Sequence, residues 1–289
     1  MPTPIDTKKL AFFYGWPSGV NGSTTVAEAV SHFSNYDSVV FGEGIEDPAH
    51  GDHTNAQNII NDAGMSTSSV YGYVNSTNSY TAIYTAVDRW LAMGVAGIFL
   101  DRFGYDFLVS REKQNSLVEY IRYKGKHAFV NAWNPDDVFS SSIDASYNPL
   151  SLPASIDGND IYLAESYQII NGAYQSETDW RTKSDKMATY KTSHGTKMAA
   201  TTTYDASAFD QAKADYSYYS AVLDGLDYWS FGEQFFSASS GQLPFRTRKP
   251  VYGDVLTGAI VQNGNVFERD TNVGIHIDTV NNTVDYLLD

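Results

Sequence analysis

The 289-residue chain contains no cysteine. Disulfide staples, thiol nucleophiles, iron–sulfur clusters and cysteine-ligated zinc are therefore excluded, while the redox compartment stays open. Basic residues are scarce: 19 Lys and Arg stand against 34 Asp and Glu, a formal charge of −15. Nucleic acids and anionic membranes are bound through clustered Lys and Arg, so no nucleic-acid partner is expected and a neutral or cationic one is favoured. No apolar run approaches the ~20 residues of a membrane span, so no membrane insertion is expected. The opening MPTPIDTKKL lacks the apolar core of a signal peptide. No Gly-x-Gly-x-x-Gly or Walker-type loop occurs, and no cofactor is called for.

Short apolar, β-prone runs recur along the chain. They are Leu10–Tyr14, Ser38–Phe41, Ser69–Val74, Gly97–Leu100, His127–Val130, Asp160–Ala164, Lys197–Thr203 and Gly225–Trp229. Helical stripes separate them. Ser79–Met93 aligns Ile83, Val87, Trp90 and Leu91 and stops at Gly94; Arg111–Tyr123 repeats the pattern with Leu117, Val118 and Ile121; Asp205–Leu223 is a third. Near-continuous apolar strands alternating with amphipathic helices predict an α/β fold with a parallel sheet covered by helices. Eight such units in ~230 residues predict a closed (β/α)8 TIM barrel over residues 1–236. A linker at 237–250 follows. Residues 251–289 then alternate with period two around Asn263–Gly264 and Asn281–Asn282, which predicts a small antiparallel β-hairpin appendage with two-residue turns.

Reactive groups in such a barrel sit where the strands end, at its C-terminal mouth. Those positions hold Tyr14 and Trp16, Glu43, Asn75, Asp101, Asn131 and Trp133, Glu165, Tyr204 and Asp205, and Trp229. This lining is acidic and aromatic. Sugar rings stack on aromatics and their hydroxyls bond to carboxylates and amides, so a carbohydrate is the expected ligand. Asp101 follows GVAGIFL and Glu165 follows DIYLA directly, each a carboxylate just past an apolar strand. Two carboxylates facing one cleft are what glycosidic hydrolysis requires. Arg102 points away from Asp101 if the strand period persists. His50 and His53 lie near Asp47 and Asp52, a pattern commoner in solvated loops than at metals, and no metal is expected. Tyr216, Tyr218 and Tyr219 read as helix packing and surface.

The segments GVAGIFLDRFGYDF and DIYLAESYQI resemble the strand-four and strand-six signatures of glycoside hydrolase family 114, the endo-α-1,4-polygalactosaminidases. The hydrolase domain of the Pel exopolysaccharide system is similar, and the likeness extends more loosely over Leu10–Phe236. The resemblance implies a barrel whose strand-four Asp and strand-six Glu are catalytic, which here are Asp101 and Glu165, acting on a galactosamine-containing polysaccharide. Two positions depart from the pattern: Arg102 stands where small or polar residues are commoner, and the third strand ends in Asn75 rather than an acid.

The expected function is an endo-acting glycoside hydrolase with Asp101 as nucleophile and Glu165 as acid and then base; the reversed roles, and an inverting mechanism, stay open. Tyr14, Trp16, Glu43, Asn75, Asn131, Trp133, Tyr204, Asp205 and Trp229 would bind substrate. The rival is a non-catalytic glycan-binding or phage-tail adhesion protein on the same barrel. Either would act outside the cell, at its surface or on a virion, and the C-terminal β region suits contact between identical copies.

Overall fold

The computed structural model describes residues 3–204, 209–246, 255–270 and 274–286. Eight parallel strands close a barrel: β1 (Lys8–Phe13), β2 (Ser38–Phe41), β3 (Ser69–Asn75), β4 (Gly97–Asp101), β5 (His127–Asn131), β6 (Ile161–Ala164), β7 (Lys197–Thr201) and β8 (Tyr228–Ser230). Each strand neighbours the next in sequence, and β8 pairs with β1 to complete the ring. The helices are α1 (Val26–Phe33), α2 (His53–Ile60), α3 (Tyr80–Met93), α4 (Arg111–Tyr123), α5 (Pro135–Phe139), α6 (Glu177–His194) and α7 (Gln211–Leu223). Ser79 caps α3 by accepting from Ala82 N, and Gly94 ends it in the left-handed region. Asp210 caps α7, so that helix starts later than the expected Asp205; residues 205–208 lie outside the described set.

Alternation along each strand sends one set of side chains into the barrel and the other toward the helices. Leu10, Phe12, Tyr71, Tyr73, Phe99, Phe129, Leu163 and Tyr228 fill the interior as one cluster. Its rings meet mostly edge-on, Phe12 with Phe99 at 5.4 Å and Phe99 with Phe129 at 5.1 Å. Gly97 makes this possible, since a Cβ there would stand 2.7 Å from the Tyr71 ring and 2.5 Å from His127 O. The barrel is therefore filled below its mouth chiefly by aromatic and aliphatic side chains.

The C-terminal segment forms an antiparallel sheet of β9 (Val261–Asn263), β10 (Val266–Arg269), β11 (Ile275–Asp278) and β12 (Thr283–Tyr286). Its first turn uses Gly264 and Asn265, one residue later than expected, because Asn263 still pairs with Val266. The second turn has four residues rather than two: Asp278 pairs with Thr283, and its carboxylate accepts from the backbone of Val280 and Asn281, with Asn282 at φ 52°. Phe267 packs edge-on against Trp180 of α6 at 5.2 Å, and Arg269 donates to Leu223 O at the end of α7. Covered by barrel and sheet, α7 is buried almost all round. Tyr216, Tyr218 and Tyr219 are accordingly core residues, not surface ones.

Candidate active site

Asp101 ends β4 and Glu165 follows β6, with Asn131 on the intervening strand β5. All three continue the inward-facing parity. Asn131 Nδ2 donates to Asp101 Oδ1 at 3.0 Å and to Glu165 Oε2 at 2.8 Å. The opposite amide orientation would set an oxygen against two carboxylates, so the nitrogen must face them. Because one nitrogen makes both bonds, those two carboxyl oxygens lie within about 6 Å of each other.

The two acids live in different surroundings. Asp101 Oδ2 accepts from Tyr73 Oη at 2.6 Å, and the Arg102 guanidinium stands 4.0 Å from the same oxygen. Glu165 is more enclosed. Burial pushes its carboxyl up from the usual range, the Asp101 charge adds to this, and the Asn131 amide and Lys183 ammonium oppose it. Tyr14 stands close enough to feel both acids; burial first and then Asp101 raise its hydroxyl well above the ordinary value. Phe236 closes the floor, 5.6 Å from both Phe12 and Tyr14, on a turn where Phe235, Phe236 and Ser237 all have positive φ.

Backbone strain clusters here. Arg102, at φ 54°, and Ser166, at φ 56°, each follow one of the acids in the left-handed region. Such conformations cost non-glycine residues on the order of 1–3 kcal/mol and turn the chain sharply off each strand. Arg102 therefore does not follow the strand period that predicted it would point away. It swings back beside Asp101 and over the Phe107 ring.

The expected substrate-binding residues divide. Tyr14 and Asn131 join the pair. Trp16 (59% exposed) and Trp133 (47% exposed) stand at the rim. Glu43 and Asn75 line a groove of about 420 Å³ on the β3 side, although the Asn75 amide oxygen is engaged by Thr77. Tyr204 is buried against Phe231 at 5.3 Å, and Asp205 lies outside the described residues. Trp229 does not reach the mouth: its parity turns it outward, where it is 4% exposed and packs on Tyr218 of α7 at 5.2 Å. His50 packs on Trp16, and among the described residues no group of three or more acids and histidines could hold a metal.

Three participants were not named from the sequence. Tyr73 sat inside an apolar run and read as core. Phe236 fell at the edge of a presumed linker. Lys183 lies on α6, a helix too polar all round to flag any face. Its ammonium donates to Glu165 O at 3.2 Å and covers the Trp133 ring at 3.9 Å.

No protein-family model matches the chain, and no curated protein matches it. Among solved structures it is similar to the glycoside hydrolase domain of PelA from Pseudomonas aeruginosa, at 12% identity and TM-score 0.47, covering 84% of this chain and all of that one. A malate synthase from Haloferax volcanii gives 11% identity and TM-score 0.46 over 85% of this chain and 77% of that one. An HpcH/HpaI aldolase from Desulfitobacterium hafniense gives 12% identity and TM-score 0.42 over 79% of this chain and 86% of that one. Likenesses this distant carry nothing about the chemistry of the mouth.

Proposed function

We propose that the protein is a glycoside hydrolase cutting within a polysaccharide with retention of configuration. The observation that carries this reading is the shared Asn131 amide: one nitrogen bonds an oxygen of each inward carboxyl, so those two oxygens lie within about 6 Å of each other. Retaining glycosidases space their acids at about 5–5.5 Å, whereas inverting ones need roughly 6.5–9.5 Å to admit a water.

The surroundings suggest the roles. Glu165, its carboxyl raised by burial, is the better suited of the two to give a proton to the leaving oxygen. Asp101, steadied by Tyr73 and Asn131, attacks the anomeric carbon as the glycosidic bond breaks, forming a glycosyl ester. Glu165, now ionised, takes a proton from water, whose oxygen displaces Asp101 and frees the sugar. A glycan-binding protein has no need of a carboxyl with a raised proton affinity beside a second carboxyl. The motifs around Asp101 and Glu165 point to a galactosamine-containing exopolysaccharide, and Glu43 and Glu46 beside the Asp101 flank suit a sugar rich in hydroxyl or amine donors.

A panel of glycan polymers assayed for new reducing ends tests this. The parent should cut at least one α-1,4-linked galactosamine polymer, and Asp101→Asn should not. A panel left intact by the parent sinks the hydrolase reading.

A further inference from the structure

A groove of about 630 Å³ opens between the loop after β5 and α6, lined by Trp133, Asn134, Tyr174, Asp179, Lys183 and Lys186. Trp133 is its exposed aromatic face. Lys183 is only 7% exposed and ties this wall to the acid: one ammonium bonds the Glu165 carbonyl and covers the Trp133 ring. Lys186 is held beside it by Asp136 at 2.6 Å and by Asn134 Oδ1 at 3.0 Å. Asp179 accepts from Ser176 Oγ at 2.7 Å. The opposite groove presents Glu43 and Glu46, and Arg89 in its wall is engaged by Asp47 at 2.9 Å.

We infer that this groove is the leaving-group subsite and takes a neutral or acidic pyranose ring packed against Trp133, with Lys183 holding both the indole and the Glu165 backbone. The inference rests on the hydrolase reading, and the reasoning is directional. The residue that protonates the glycosidic oxygen stands beside the departing sugar, so the chain beyond the bond continues on the Glu165 side. A ring placed there meets the Trp133 indole and two ammonium groups, while the Asp179 carboxylate of the lining is engaged by Ser176. Hydroxyls, an N-acyl oxygen or a carboxylate can accept from such donors, while a free amine meets like charge in a half-buried site. Burial brings Lys183 down to about 8, with Glu165 and Asp179 opposing, so it is charged at neutral pH.

The probe is a partly N-acetylated α-1,4-galactosamine polymer, with the residue at each newly formed non-reducing end identified by mass spectrometry. That residue occupied the leaving subsite. The parent should show N-acetylated ends enriched about fivefold or more over the polymer's composition. Lys183→Met should erase the bias, Lys183→Arg should keep it, and Trp133→Ala should lower kcat/KM about tenfold. In parallel, tryptophan fluorescence titrated with an N-acetylgalactosamine trisaccharide reads occupancy whether or not a bond is cut. Quenching that depends on Trp133, without cleavage of any polymer, keeps the subsite as a glycan site and overturns the hydrolase. Cleavage with ends at bulk composition, or with Trp133→Ala and Lys183→Met both without effect, overturns the subsite and keeps the hydrolase. No cleavage and no Trp133-dependent quenching overturns both.

Discussion

The two flanks of the barrel mouth are built from opposite chemistry. On the β3–β4 side, Asp101 sits among hydrogen-bond donors, and the adjoining groove is lined by Glu43 and by Glu46, whose buried Oε2 has no partner among the described residues. On the β5–β6 side, Glu165 is desolvated, and the adjoining groove carries Trp133 and two lysines. Among the described residues, Asn131 is the single side chain bonded to both acids. The contrast teaches how one strand-end constellation can separate two identical functional groups. Donors surround one carboxyl, and burial raises the proton affinity of the other.

The most severe way to break the comparison is to remove either charge. Asp101→Asn and Glu165→Gln should each lower polymer cleavage by about 10³-fold or more with binding intact, since each deletes a group acting on the transition state. Near-normal rates in both variants would end the assignment. Removing the bridge comes next. Asn131→Ala should cost about 10²-fold, because both acids lose their shared donor. It should also move the basic limb of the pH–rate profile upward, since the Asn131 amide is what holds the Glu165 carboxyl down. Tyr73→Phe touches Asp101 alone, so it should slow turnover and leave that limb in place; an equal shift in the two variants would erase the distinction between flanks.

Most of the scaffold was legible in the sequence. The eight apolar runs became the eight barrel strands, and Ser79 and Gly94 bound α3 as their residue types required. The placement of Asp101 and Glu165 at the barrel mouth was legible because each ends an apolar run. What escaped was set by tertiary packing. Trp229 looked like a mouth residue, yet strand parity turned it toward Tyr218. Tyr73 looked like core, yet the same parity aimed its hydroxyl at Asp101. Lys183 could not be found by periodicity, because α6 is polar around its circumference and lies partly beneath the C-terminal sheet. Arg102 misled because a left-handed residue interrupts the strand period.

Smaller effects should follow from the same asymmetry. The folded-state proton affinity of Glu165 is raised, so its contribution to stability is full below the usual carboxylate range and is lost as pH rises through the raised value. Glu165→Gln should therefore melt about 1–3 °C above the parent at pH 7 and match it near pH 4. A constant offset across pH, read by calorimetry, would show that Glu165 is not desolvated. Smallest of all, Arg102→Gly removes a left-handed side chain and should stabilise the fold by less than about 1 kcal/mol in urea, with a modest loss of activity.

The central claim, that Asp101 is the nucleophile and Glu165 the acid and base, is tested most directly by trapping the glycosyl ester. A glycosyl fluoride of the sugar found at the cleaved bond needs no proton from an acid to react. With Glu165→Gln its first step should proceed while hydrolysis of the intermediate stalls. Peptide mass spectrometry after acid quench should then find one added sugar residue on the peptide carrying Asp101. An adduct on any other residue, or release of the inverted sugar with no adduct, would contradict the account.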